Sequence, residues 1–266
     1  MLSLCLLFLT STILDVIVSQ KHKDGSFLDV FKRLTRTGSF LGTPVTVLAA
    51  IGTPRPLREC LQSSPILYYP TMFFPESSVL RSQWKAIRDE AYAAEAEWKS
   101  INQDQFFTNA EPGWKRFYIK WYGPIDPKAR RLCPLTCALI ESLPNVHLAM
   151  FSILEPGVRI LPHHGPARFC LRYHLALKVP KETGCKIRVR CTDYEWKEGE
   201  DVMFDDTFLH DVENLTSQRR IVLFLDVERP QRSAVFTAIN RFFIHTLGAA
   251  TTRTNEKQEA DSRVRT

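Results

Sequence analysis

Two strand-like stretches of this chain concentrate histidine, arginine and carboxylate side chains among apolar neighbours. The first is Leu161-Pro162-His163-His164-Gly165-Pro166, followed by Arg172-Tyr173-His174, and the second is Met203 through His210, followed by Arg219-Arg220. A charged group on an apolar strand needs a partner. Two histidines distant in sequence, brought together across a β-barrel, can hold a divalent iron through neutral imidazole nitrogens, and a deeper arginine can pair bidentately with a carboxylate. His163, His210 and Arg220, in that order, suit an iron site with a cationic pocket for a dicarboxylic cosubstrate such as 2-oxoglutarate. Arg220 lies in Arg-Ile-Val-Leu-Phe-Leu, where a buried guanidinium calls for an anion. The bland reading of any one strand histidine is a hydrogen bond to the backbone or a place facing solvent. The pair with its arginine is what points to chemistry.

The elements that must position these groups are mainly strands. A helix is expected over Ser78–Lys99, where Val79, Trp84, Ile87, Ala91, Ala94 and Trp98 recur at helical spacing behind a serine cap. After Trp114 come short aromatic or β-branched runs at Arg116–Trp121, His147–Leu154, Arg168–Val179, Lys186–Cys191, Asp201–Phe204 and Arg220–Val227, with one helix near Leu135–Leu143. Gly and Pro turns between them favour an antiparallel sandwich or barrel over parallel β-α-β units.

Composition agrees. At 44 % hydrophobic and 24 % charged, with 17 Phe, 7 Tyr and 5 Trp in 266 residues, the chain can build a core without disulfides or a structural metal. A net charge of +6, without basic stripes or a nucleic-acid-binding signature, argues against nucleic acid as a partner. Residues 1–18 are apolar except for Asp15, and Lys21, Lys23, Lys32, Arg33 and Arg36 follow. This reads as a single N-terminal membrane anchor whose basic flank keeps the rest of the chain cytoplasmic, and a buried first helix is the alternative. The expected organisation is an anchor and basic linker over 1–60, a catalytic domain over 61–247 and a disordered tail over 248–266. Seven irregularly spaced cysteines suit a reducing compartment, and Cys133 and Cys137 read as core thiols.

Several motifs in order sharpen this reading: Ser152-Ile153-Leu154-Glu155-Pro156-Gly157, Pro162-His163-His164-Gly165-Pro166, Leu171-Arg172-Tyr173-His174-Leu175, Gly184-Cys185-Lys186-Ile187-Arg188, Phe204 through His210, and Arg220 through Phe224. Over residues 65–245 the chain resembles the aspartyl/asparaginyl β-hydroxylase family. Within it, Asp226 through Pro230 and Ala238 through Phe242 look most like the lipid A acyl-chain hydroxylases. The resemblance implies a double-stranded β-helix, a jelly roll of the cupin kind with flanking helices. It implies Fe(II) on His163 and His210, and Arg220 with Ser152 nearby on the distal carboxylate of 2-oxoglutarate. It also places Arg172 and His174 close to the iron-side carboxylate or the substrate. The implied activity is an Fe(II)-, 2-oxoglutarate- and O2-dependent hydroxylation, at the β-carbon of a peptidyl Asp or Asn by the family name. The alternatives are a lipid acyl chain as substrate and an inactive binding module on the same fold.

Two positions depart from the pattern. Gly165 stands where most such oxygenases place a third, carboxylate ligand, and the animal peptide hydroxylases share that glycine. Cys170 stands where those peptide hydroxylases carry an additional arginine, which weakens the case for an acidic peptide. Other candidates have bland readings: Asp205 and Asp206 as ligands or turn caps, His164 as a surface residue on the opposite face, Trp114 and Trp121 as channel wall or core, Arg219 as a solvated charge, and Asn214-Leu215-Thr216 as a sequon without consequence in a cytosolic domain.

Overall fold

A computed structural model describes residues 67–68, 73–100, 113–165, 169–190, 192–231 and 233–246. The expected anchor, linker and tail lie outside these residues. Among the described residues eleven antiparallel strands form two sheets. The larger has the order β1 (Leu67–Tyr68), β9 (Asp201–Phe204), β6 (Cys170–Lys178), β11 (Arg220–Glu228), β4 (Val146–Leu154), β3 (Trp114–Trp121), β2 (Lys99–Ser100). The smaller has the order β5 (Arg159–His163), β10 (His210–Asn214), β7 (Cys185–Val189), β8 (Thr192–Glu195). From β4 onward the chain passes back and forth between the sheets, which makes the fold a double-stranded β-helix.

Alternation along the strands of the larger sheet produces two cores. Leu171, Tyr173 and Leu175 of β6 and Ile221, Leu223 and Leu225 of β11 face outward under the helices α1 (Ser77–Ser82), α2 (Trp84–Ala93), α3 (Pro127–Leu132) and α4 (Pro134–Glu141), meeting Leu80, Ile87, Ala91 and Ile140. The opposite face, with Leu154, Ala176, Phe204 and Val222, closes against Ile160, Ile187, Val189 and Val212 of the smaller sheet. The chemistry-bearing residues Ser152, Arg172, His174 and Arg220 share the parity of this second face and so point between the sheets.

The single helix expected over Ser78–Lys99 is broken. Gln83, at φ −107° and ψ 12°, separates α1 from α2, and a 3₁₀ turn at Glu95–Glu97 follows. Leu80, not Val79, is the buried apolar residue of α1, and with Ile87, Ala91 and Ala94 it continues one helical stripe across the break. The cap position is Glu76, whose side chain makes no capping bond. Helix α4 takes its cap from outside: Glu90 of α2 accepts from the backbone N–H groups of Leu135 and Thr136, both at 2.8 Å. Cys133 and Cys137 are buried in the helix layer, where desolvation pushes their thiols up to about 12 and about 11.

Arg219 is more than a solvated charge. It pairs with Glu95 and Glu155 and lies over the Trp98 ring, tying the helical layer to the sheet end. Asn214 is fully buried, and its amide nitrogen donates to the carbonyls of Leu154, Glu155 and Gln218. The sequon is therefore a folded turn whose acceptor nitrogen is occupied.

Candidate functional site

β5 and β10 pair so that His163 and His210 are direct register partners, and their rings lie 4.2 Å apart. Nδ1 of His163 bonds the Leu161 carbonyl at 2.8 Å and Nδ1 of His210 bonds the Phe208 carbonyl at 2.9 Å. A carbonyl can only accept, so each Nδ1 carries the proton and each Nε2 keeps its lone pair. Desolvation lowers both imidazoles, His210 down to about 4 with His163 adding to the effect. Two neutral imidazoles with oriented lone pairs, side by side, are a donor set for a divalent transition metal.

Arg220 lies deeper between the sheets. Its Nη2 donates to Ser152 Oγ at 3.2 Å, the Trp114 indole N–H donates to the same oxygen at 2.9 Å, and the guanidinium lies 4.7 Å over the Trp196 ring. Nothing anionic pairs with it among the described residues, its Nε has no partner, and burial lowers it to about 10. His174 is wedged among Trp196, Phe204 and Phe224, and both its ring nitrogens are buried without partners. Burial, then Arg220 and Arg172, hold it neutral well below the usual histidine range. A buried guanidinium and a buried imidazole with unmade hydrogen bonds form a cradle for an anion, since leaving each such group unpaired costs about 1–3 kcal/mol.

Arg172 differs. Its guanidinium bridges Asp206 and Asp226 and lies 4.2 Å over Phe224, so its charge is already matched. Tyr122, held at φ 47°, donates its hydroxyl to Asp226. Asp205 pairs with Arg229 at 2.8 Å and accepts from the N–H and hydroxyl of Thr207 at 3.0 and 2.7 Å. It is therefore a turn cap, one of the two readings open to it. Asp206 lies close enough to both histidines to act on them electrostatically. The Gly165 N–H donates to its backbone oxygen at 2.7 Å, and a side chain at 165 would overlap its carboxylate. The volume beside the histidine pair is thus filled by a carboxylate from β9's end instead of from residue 165.

Of the sequence candidates, the fold brings His163, His210, His174, Arg172, Arg220, Ser152 and Asp206 together. His164 is exposed. Trp114 bonds Ser152, and Trp121 joins an aromatic group with Tyr118 and Tyr122. Tyr122, Trp196 and Asp226 were missed by sequence reasoning. Asp226 carried the same signal as Arg220, a charge inside an apolar strand. A cavity of about 300 Å³ is bordered by Val179, Thr183, Cys185, Glu198 and Trp196, the ring under Arg220.

Comparison with known proteins gives the family. The chain is similar to an ornithine lipid ester-linked acyl 2-hydroxylase of Rhizobium tropici, at 33 % identity over 62 % of this chain and 61 % of that one. It is also similar to the aspartyl/asparaginyl beta-hydroxylase of Homo sapiens, at 35 % identity over 57 % and 21 %. It therefore spans less than two thirds of the length of either relative. A Pseudomonas putida prolyl-4-hydroxylase structure overlays on 65 % of this chain and 97 % of its own, with a TM-score of 0.43 and 15 % identity. The profile described as Aspartyl/Asparaginyl beta-hydroxylase matches residues 81–230. That stretch runs from α1 to the end of β11 and contains every residue of the site, so the chain belongs to the aspartyl/asparaginyl β-hydroxylase family.

Proposed function

We propose that this chain is an Fe(II)- and 2-oxoglutarate-dependent hydroxylase, with His163 and His210 holding the metal and Arg220, Ser152 and His174 receiving 2-oxoglutarate. The observation that carries it is the pairing of two neutral, Nδ1-protonated histidines with a buried cationic cradle whose hydrogen bonds are unmade. The residues fit the cofactors: the Nε2 lone pairs suit Fe(II), and Arg220 Nε with the His174 ring suits a carboxylate. When bound, iron with 2-oxoglutarate and O2 supplies the oxidising power that converts an unactivated C–H to C–OH, leaving succinate and CO2.

The protein's own part is orientation. Leu161 and Phe208 carbonyls fix the imidazole tautomers, Trp114 turns the Ser152 hydroxyl towards the cosubstrate pocket, and Trp196, Phe204 and Phe224 exclude water. Arg172 acts here as the residue that holds Asp206 beside the histidines. Incubation with Fe(II), 2-oxoglutarate and O2 should release succinate. A chain that binds no iron in a 2-oxoglutarate-dependent way is instead a binding module. Arg220→Lys keeps the charge but loses the forked geometry. The KM for 2-oxoglutarate should rise about 10- to 100-fold, the equivalent of about 1.5–3 kcal/mol, with little change in iron affinity. An unchanged KM places the cosubstrate elsewhere.

The family name points to a peptidyl Asp or Asn β-carbon as substrate. One observation favours a lipid acyl chain: inside the barrel beside the histidines, Arg172 is neutralised by two carboxylates and Cys170 is a buried thiol, so among the described residues an acidic side chain finds no spare cation within the pocket. We also propose that residues 1–36 anchor the chain to a membrane with the catalytic part on the cytoplasmic side. A chain beginning at Pro65 should leave the membrane fraction and keep iron-dependent turnover, and a full-length chain that fractionates as soluble removes the anchor. No helix among the described residues is long and apolar enough to cross a membrane.

A further inference from the structure

We infer that Arg190 anchors the anionic headgroup of an acyl-lipid substrate at the edge of the site. This rests on the hydroxylase reading above, because it names what that site is offered. The β7–β8 hairpin turns within two residues, with Val189 paired to Thr192. Arg190 opens the turn at φ 55°, a left-handed conformation that Gly and Asn adopt readily and a long side chain does not. Two contacts hold it there. Its N–H donates to the Leu209 carbonyl at 2.8 Å, and its guanidinium lies 5.0 Å over the Phe208 ring. Backbone strain of this kind is informative where it places a functional group.

The neighbouring arginines are occupied: Arg188 is bound by Asp193 at 2.7 Å, and Arg172 by Asp206 and Asp226. Arg190 is exposed and makes no ion pair among the described residues. Its position is close to the chemistry, because Val189 is the register partner of His210 and Phe208 supplies the carbonyl that orients that ring. Leu161, whose carbonyl orients His163, is 45 % exposed, and Leu209, whose carbonyl accepts from Arg190, is 46 % exposed. One planar cation with forked donors beside two solvent-facing leucines matches a phosphate or carboxylate headgroup attached to an acyl chain. It does not match an acidic peptide, which would want the cation inside.

The full-length chain and its Arg190→Gly variant can be titrated with dihexanoyl phosphatidic acid and with dihexanoyl phosphatidylcholine, whose acyl chains are identical. Glycine suits φ 55°, so the thermal midpoint of the variant should equal or exceed that of the parent. Affinity for the anionic lipid should fall about tenfold, the loss of one charge-assisted pair, and affinity for the zwitterionic lipid by less than about twofold. Arg190→Lys should fall between. Equal losses for both lipids, or a lower thermal midpoint in Arg190→Gly, would make Arg190 a structural stack and overturn the inference. So would inorganic phosphate binding as tightly as the anionic lipid, or a loss confined to an aspartate-rich peptide. Succinate release by the parent is measured alongside. Lipid discrimination without it sinks the hydroxylase reading, and succinate release without discrimination sinks the Arg190 assignment alone.

Discussion

Gly165→Asp, which would place a carboxylate two residues after His163, is expected to lower iron-dependent 2-oxoglutarate turnover, not raise it. The position is already filled. A side chain at 165 overlaps the carboxylate of Asp206, which is 3 % exposed and held by Arg172. Making room means breaking that buried ion pair, a loss of about 3–5 kcal/mol, and the new aspartate then faces a second carboxylate in a dry environment. For a domain of this size, destabilisation of that order lowers the thermal midpoint by about 6–20 °C. Gly165→Ala separates the two effects, since it brings the overlap without the charge and should lose most of the same stability. A Gly165→Asp enzyme with tighter iron binding and unchanged melting would show that Asp206 yields freely and that the glycine is a simple loss of ligand.

His163→Ala and His210→Ala should each reduce 2-oxoglutarate turnover to background and remove Fe(II) binding. Each substitution deletes one of two neutral nitrogen donors, and no third His, Cys, Asp or Glu completes a cluster with them among the described residues. Stability should fall by about 1–3 kcal/mol for the carbonyl left unpaired, and His210→Ala also removes a buried ring packed against Phe204. Folded variants without turnover are the expected result, read by circular dichroism beside succinate release. Succinate formation surviving in the double variant would remove these histidines from the reaction.

The antiparallel class, the longer strands β3, β4, β6 and β11, and the need of Arg220 for an anion were legible in the sequence. Each follows from a local regularity, the two-residue period of a strand and the cost of burying an unpaired charge. Five strands were not: β1 and β2 have two residues each, and of β5 only the Leu161–His163 end was read as strand-like. β5, β8 and β10 belong to the smaller sheet, whose outer face carries Arg159, Lys186, Arg188, Asp193 and Glu213 in ion pairs. With one face in water and only four or five residues each, they show few apolar positions, and Pro162 interrupts the first. The helix expected over Ser78–Lys99 broke although Leu80, Ile87, Ala91 and Ala94 all pack on one core, because apolar spacing reports which face is buried and not whether the backbone stays helical at an exposed residue such as Gln83.

What the residues alone determined is which side chains have chemistry to offer and that a β-barrel of this family would gather them. What only the tertiary structure decided is which of those charges remain uncompensated. Arg172 and Arg220 sit in similar apolar strands, yet Arg172 meets Asp206 and Asp226 from two other elements while Arg220 meets, among the described residues, a hydroxyl and one indole face but no carboxylate. The free energy of a buried charge depends on neighbours contributed by distant segments, and no local pattern encodes those neighbours. The same holds at Gly165, where the residue's meaning lies in the carboxylate that the end of β9 brings into its space.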